Sequence, residues 1–220
     1  TGLRRLEIGD GEAGEIRVDA EAGVALSELV TRSLYEGFTG MEFCAGIPGS
    51  VGGAVRMNAG AYGSEIKEVI VSASLLDPAE GIRIVTRDSL IFGYRHLDLP
   101  AETIIIGAAF RLKRGKQEKI AGRVREILAL RKEKHPLEFR NAGSIFKNPH
   151  SIPAGRLIES AGLKGFRIGD AEVSTKHGNF IVNRGQASAA EVLSLIDLVQ
   201  KRVFEATGHS LETEVRIIGE

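Results

Sequence analysis

Three side chains of this 220-residue chain are of the types that move protons or hold developing charge: Ser144, Glu214 and Arg95. Ser144 lies in NAGSIFKNP (141–149), between small residues. A hydroxyl is a poor acid at neutral pH, yet it can protonate a strongly basic carbanion when the alkoxide left behind is stabilised nearby. Taken without context the same residue reads rather as a turn serine bonding its own backbone, and without GxSxG it does not read as a hydrolase nucleophile. Glu214 falls in TEVRIIG (213–219), where Val215, Ile217 and Ile218 predict a buried final strand. Glu212 then shares a face with it, which fits either a solvent-facing pair on an edge strand or a half-buried acid with a raised pKa. Arg95 follows Tyr94 in FGYR (92–95), at a predicted strand-to-loop junction. Its planar fork suits a carboxylate, whether that of a ligand or that of a surface salt bridge.

A second kind of chemistry belongs to GIPGSVGGAVRMNAGAYG (46–63), in which Gly46, Gly49, Gly52, Gly53, Gly60 and Gly63 account for six of eighteen residues. Such density suits left-handed backbone, or backbone brought close to something bulky. Successive N–H groups in such a loop form a concave nest for an anion, so a phosphate-bearing ligand is the expected guest. Arg56 is the only charge, while Met57, Asn58 and Tyr62 offer surface to a flat cofactor. The spacing fits neither GxxxxGK[ST] nor GxGxxG. A tight surface turn is the competing reading.

Composition removes several classes. Lys+Arg and Asp+Glu both number 29, so nothing points to a nucleic-acid or membrane surface. The single Cys44 cannot form a disulfide within the chain and fits a reducing compartment. No apolar run reaches membrane-spanning length, and a soluble cytoplasmic protein is expected. His96, His135, His150, His177 and His209 lack metal-ligand spacing, and no metal site is expected.

The positioning elements follow from periodicity. GEIRVDA (14–20) alternates as a strand. Leu26, Leu29, Val30 and Leu34 recur at helical spacing, with Gly37 to close that helix. Strands at 70–77 and 82–86 flank Asp77-Pro78, and 103–113 reads as a long central strand. Residues 115–136 form a helix burying Ile120, Val124, Ile127 and Leu128, stopped by His135-Pro136, with its cations on a solvated face. A short helix near 156–161, a strand at 179–183 and a helix from Ser188 complete the second part. Ser188 and Glu191 form a capping-box pattern, Val192, Ile196, Val199 and Val203 give the buried stripe, and Gly208 ends the helix.

The glycine string, with FGYR (92–95), NAGSIFKNP (141–149), LIESAGLKG (157–165) and LETEVRIIG (211–219), resembles in collinear order the UDP-N-acetylenolpyruvoylglucosamine reductase (MurB) family of peptidoglycan synthesis. The resemblance implies an α+β protein: the second part of a PCMH-type FAD-binding domain (1–114), a connecting helix (115–135), a smaller α+β substrate-binding domain (136–210) and a C-terminal strand (211–220) carrying the catalytic glutamate. It implies a flavoenzyme that uses FAD and NADPH to reduce UDP-N-acetylglucosamine enolpyruvate to UDP-N-acetylmuramate. It places Gly46, Ile47, Pro48, Gly49, Ser50, Gly52, Gly53, Ala54, Asn58, Ala59, Gly60 and Gly63 at the cofactor, and Tyr94, Lys134, Asn148 and Glu159 at the substrate. In it, Arg95 and Glu214 hold the developing enolate and Ser144 protonates the adjacent carbon. The family has serine two residues after this arginine, where this chain has Leu97. The run from Ser144 to Asn183 resembles the form without a tyrosine-bearing insertion. An N-terminal segment of the family is expected to precede Thr1, and without it weak or no FAD binding, and no activity, are expected. A monomer is the expected state. A non-catalytic nucleotide-sugar binder and another flavin oxidase of the same superfamily are the rival readings.

Overall fold

The computed structural model describes residues 2–149 and 152–219. It divides into two compact units, one running to Leu130 and the other from Arg131.

The first unit contains β1 (Leu6–Asp10), β2 (Ile16–Glu21), α1 (Leu26–Glu36), β3 (Phe38–Thr39), α2 (Val51–Arg56), β4 (Gly60–Ala61), β5 (Ser64–Glu65) and α3 (Ile66–Val69). It continues through β6 (Ile70–Asp77), β7 (Gly81–Thr86), β8 (Phe92–Gly93), β9 (His96–Leu97) and β10 (Ile104–Arg114), and into α4 (Gln117–Lys134). The main sheet has the order β1-β2-β10-β6-β7, with all these neighbours antiparallel and β10 at the centre, as the sequence predicted. Alternation places Ile16, Val18 and Ala20 of β2, Ala73 and Leu75 of β6, and Phe110 and Leu112 of β10 in one core. Each large side chain withdrawn from water in this way contributes about 1.5–3 kcal/mol. Gly37 closes α1 at φ 74°, a left-handed turn that a side chain would strain.

Two expectations need correction here. The sequence reads residues 46–63 as one loop; instead they contain α2, β4 and the turn into β5, and Val51, Ala54 and Val55 of α2 fill the core. On α4, Ile120, Val124 and Ile127 are buried but Leu128 is exposed, since the buried stripe is narrower than its apolar residues suggest.

The second unit contains β11 (Arg140–Ser144), α5 (Ala154–Ser160), β12 (Arg167–Ile168), β13 (Ala171–Val173), β14 (Phe180–Asn183) and α6 (Ala189–Thr207). Its sheet runs β11-β14-β13-β12, all antiparallel. The expected capping box is present: Ser188 Oγ accepts from Glu191 N–H, and the Glu191 carboxylate accepts from Ser188 N–H at 2.8 Å. Leu195, Ile196, Val199 and Val203 bury the inner face of α6, and Gly208 ends it at φ 73°. The predicted final strand is absent. Thr213 makes a single bridge to Phe146, while Ile217 and Ile218 are exposed. Alternation marked an extended segment, but a ladder needs a partner along its length, and only three residues here find one.

Candidate functional site

The first half of the glycine string is shaped by its backbone. Gly46 and Gly49 take φ of 74° and 127°, conformations open to glycine at little cost. A methyl group at Gly52 would stand 2.8 Å from Ala22 Cβ, so this glycine lets α2 touch the turn after β2. Gly53 differs: a methyl group there meets nothing nearer than Ser50 Oγ at 3.9 Å. Among the described residues, no carbonyl or side chain takes up the N–H groups of Gly49, Ser50 and Gly53. Small residues with open space beside them and uncommitted N–H groups make a cradle for an anionic, flat ligand, and FAD fits that description.

The second half does something else. Asn58 is 0% exposed and held at φ 41°. Its Nδ2 donates to Glu65 Oε2 and to Gly93 O, both at 3.0 Å, and its Oδ1 accepts from Lys67 N–H at 3.0 Å. The side chain expected at the cofactor is therefore committed to tying together the β4–β5 and β8–β9 hairpins. Gly60 has no room for a side chain, since a Cβ would lie 2.6 Å from Glu65 Cγ, whereas Gly63 turns the hairpin at φ 90°. Ala59 packs at the edge of the core with Ile47.

Arg95 is not at a strand-to-loop junction. Tyr94 and Arg95 form the two-residue turn between β8 and β9, too short a hairpin for sequence periodicity to detect. Arg95 adopts φ 53°, its guanidinium donates to Gly60 O at 2.9 Å, and it lies 3.9 Å from Glu65 Oε1. The same guanidinium stacks over the Tyr94 ring at 4.9 Å. Leu97, in contrast, is fully buried in the core.

In the second unit the structure brings Ser144 and Glu214 onto neighbouring backbone. Ser144 ends β11 opposite Phe180, after a bulge that includes Gly143 at φ 82°. The next residue, Ile145, accepts from Glu214 N–H at 2.7 Å, and Lys147 N–H donates to Glu212 O at 2.8 Å. Glu214 is half-buried, whereas Glu212 is exposed and pairs with the Lys147 ammonium, so the two carboxylates do not share a role. Asn179, which sequence reasoning missed, anchors this junction. It is 2% exposed, its Oδ1 accepts from Phe146 N–H at 2.9 Å, and its Nδ2 donates to Phe146 O at 2.8 Å.

The remaining expected substrate residues of this unit sit on different elements. Asn148 Oδ1 accepts from Ala154 N–H at 3.0 Å and so caps α5. Glu159 pairs with Lys164 at 2.7 Å on the exposed side of α5. Lys134 is exposed at the end of α4. Next to it, His135, His177 and Phe180 stack, with ring centroids 4.9 to 5.6 Å apart. Burial, and then the neighbouring cations Arg131, Lys176 and Lys134 together with His177, push the His135 pKa down to about 4. Burial lowers that of His177 as well. His150 lies outside the described residues. Among the described residues, no three His, Cys, Asp or Glu side chains come together as metal ligands, and no helix is long and apolar enough to cross a membrane.

Residues 135–218 match the family described as UDP-N-acetylenolpyruvoylglucosamine reductase, C-terminal domain, and residues 3–87 match the FAD binding domain family. A UDP-N-acetylenolpyruvoylglucosamine reductase from Syntrophus aciditrophicus is 53% identical over 219 residues, spanning the whole chain and 70% of that protein. A protein of the same name from Lactiplantibacillus plantarum is 48% identical over 94% of the chain and 69% of its own length. Among solved structures, the enzyme of this name from Thermus caldophilus superposes with a TM-score of 0.81 at 39% identity, covering 90% of the chain and 71% of that structure.

Proposed function

The chain belongs to the UDP-N-acetylenolpyruvoylglucosamine reductase family, and from that membership we propose how Arg95, Ser144 and Glu214 divide its work. The reaction is the flavin-dependent reduction of UDP-N-acetylglucosamine enolpyruvate to UDP-N-acetylmuramate with NADPH, a step of peptidoglycan precursor synthesis. FAD, when bound, supplies hydride transfer between the nicotinamide and the enolpyruvyl group. The chain supplies the rest. The loop from Gly46 to Gly53 holds the cofactor through backbone N–H groups. The Arg95 guanidinium steadies the negative charge that gathers on the substrate carboxylate. Ser144 Oγ gives its proton to the carbon beside that carboxylate, and Glu214 stabilises the charge that forms there. Tyr94, Lys134, Asn148 and Glu159 are proposed as the substrate contacts. For Asn148 the second amide group remains for a ligand once its Oδ1 has capped α5. The single buried thiol of Cys44 accords with a cytoplasmic setting.

The observation that supports the assignment of proton donor is the 2.7 Å bond from Glu214 N–H to Ile145 O, which seats the backbone of a half-buried glutamate next to the end of the serine's strand. Ser144→Ala in the flavin-loaded enzyme tests it. Flavin reduction by NADPH should keep its rate, while reoxidation by substrate should slow by roughly 10²–10⁴-fold. An unchanged reoxidation rate removes Ser144 from the mechanism.

A further inference from the structure

Among the described residues, three of the four non-glycine residues with positive φ (Asn58, Tyr62 and Arg95) lie on one small cluster of hairpins. Each is costly unless its surroundings over-determine it, and such strain gathers where geometry has a task. The cluster is over-determined by one carboxylate. Glu65 Oε2 accepts from Asn58 Nδ2 at 3.0 Å and sits 2.8 Å from Lys67 Nζ, while Oε1 faces Arg95 Nη1 at 3.9 Å. Asn58, fully buried, joins that carboxylate to Gly93 O, the residue before the Tyr94–Arg95 turn. The hairpin carrying Glu65 also presents Gly60 O to the other guanidinium nitrogen, at 2.9 Å. Two groups from one hairpin thus meet both terminal nitrogens of the Arg95 fork.

We propose that Glu65 is a positioning residue for the reaction, holding Arg95 in the strained turn in which its guanidinium is presented to substrate. The inference rests on the assignment of Arg95 to the substrate carboxylate. Geometry makes the charge of Glu65 matter twice. It offsets the desolvation of a half-buried guanidinium and of Lys67, and it orients a side chain that would otherwise sample many rotamers. A misplacement of about 1 Å in such a group costs up to about 10²-fold in rate. Glu65 itself need not touch the reacting atoms.

Glu65→Gln is the informative variant, because the amide oxygen can still accept from Asn58 while the charge facing Arg95 and Lys67 is lost. In the flavin-loaded enzyme, reduction by NADPH should stay within about twofold. Reoxidation by substrate should slow by about 10- to 100-fold, and Glu65→Asp should recover less than half of the loss because its shorter stem does not reach. A double-mutant cycle supplies the reading that a merely structural role would not produce. In an Arg95→Ala background, Glu65→Gln should have no further effect on reoxidation, because its action passes through Arg95. If Glu65→Gln slows reoxidation equally in both backgrounds, the inference fails while the role of Arg95 stands. If Arg95→Ala alone leaves reoxidation unchanged, the assignment of Arg95 fails and takes this inference with it. The variants are compared at equal flavin content below their melting temperatures, and a Glu65→Gln protein that loses its flavin overturns the proposal in favour of a purely structural carboxylate.

Discussion

Replacing Asn179 with Ala should loosen the junction that carries Ser144 and Glu214, and its size can be worked out from the hydrogen bonds. Phe146 bridges to Thr213 in the register where Ile145 O and Lys147 N–H face the C-terminal segment. The N–H and C=O of Phe146 itself therefore point the other way, and the amide of Asn179 takes both, like a rung of a missing strand. Ile145 N–H adds a bond to Asn179 O at 2.9 Å, which the substitution spares. Phe146 is 1% exposed, so its two freed groups would be stranded away from water. Each unsatisfied buried group costs about 1–3 kcal/mol, giving about 2–5 kcal/mol for the pair once some relaxation is allowed. At about 1.4 kcal/mol per tenfold, amide exchange at Phe146 should speed up by at least about 30-fold. Site-resolved hydrogen exchange reads this, with the amides of β2 as the internal control. Asn179→Asp sharpens the test. A protonated carboxyl can donate to Phe146 O as the amide did, so its folded pKa is raised, and the variant's stability is greatest at low pH and lost as pH rises through that value. Exchange at Phe146 within threefold of the parent, or a variant indifferent to pH, would refute the reasoning.

Two further outcomes follow from the same structure. The folded state holds His135 neutral down to about pH 4 while the unfolded ring protonates near 6.5, so stability is complete above about pH 6.5 and declines as pH falls towards 4. The full difference is about 3 kcal/mol, reduced to about 1–2 kcal/mol by the ring's partial exposure. Urea melts near pH 7.5 and near pH 5 measure it, and His135→Phe should remove most of the difference; an undiminished loss in the variant excludes this ring as its source. Gly52→Ala and Gly53→Ala should separate packing from ligand binding. The first drives a methyl group to 2.8 Å from Ala22 Cβ and should cost about 1–3 kcal/mol in melting experiments. The second has open space, so it should keep or raise stability while weakening FAD retention on a desalting column, and full retention would move the cradle elsewhere.

The elements legible in the sequence were those with a full period and a stop signal. α1 ends at its glycine, α6 begins at its capping box, and β10 runs apolar through the sheet centre. What escaped was too short or too polar to show a period, or lacked a partner along its length. β1, which pairs with β2 throughout its length, offers only Leu6 and Ile8 as apolar residues, too few for alternation to register. The segment 213–219 alternates like a strand but finds only a few residues' worth of partner. The two-residue strands flanking Tyr94 and Arg95 are shorter than any periodic window.

The site residues divide along the same line. Ser144 and Glu214 stand out in the sequence as candidates because a motif surrounds each, yet nothing in either motif foretells the bond from Glu214 N–H to Ile145 O, the residue after Ser144. Asn58 shows the opposite case: a polar residue within a glycine-rich string invites a ligand, but a buried amide at positive φ with three protein partners belongs to the scaffold. Leu97, where the resemblance led to an expected serine, belongs to the scaffold as well. Position 97 faces the first core, 0% exposed, opposite Phe92 on the partner strand. A serine hydroxyl there would need a buried partner of its own. Leucine instead contributes packing that seats β9, and with it the turn that presents Arg95. Position 97 is therefore tied to Arg95 through the packing of their shared hairpin, and under the proposed role of that arginine it acts with no contact to the ligand required.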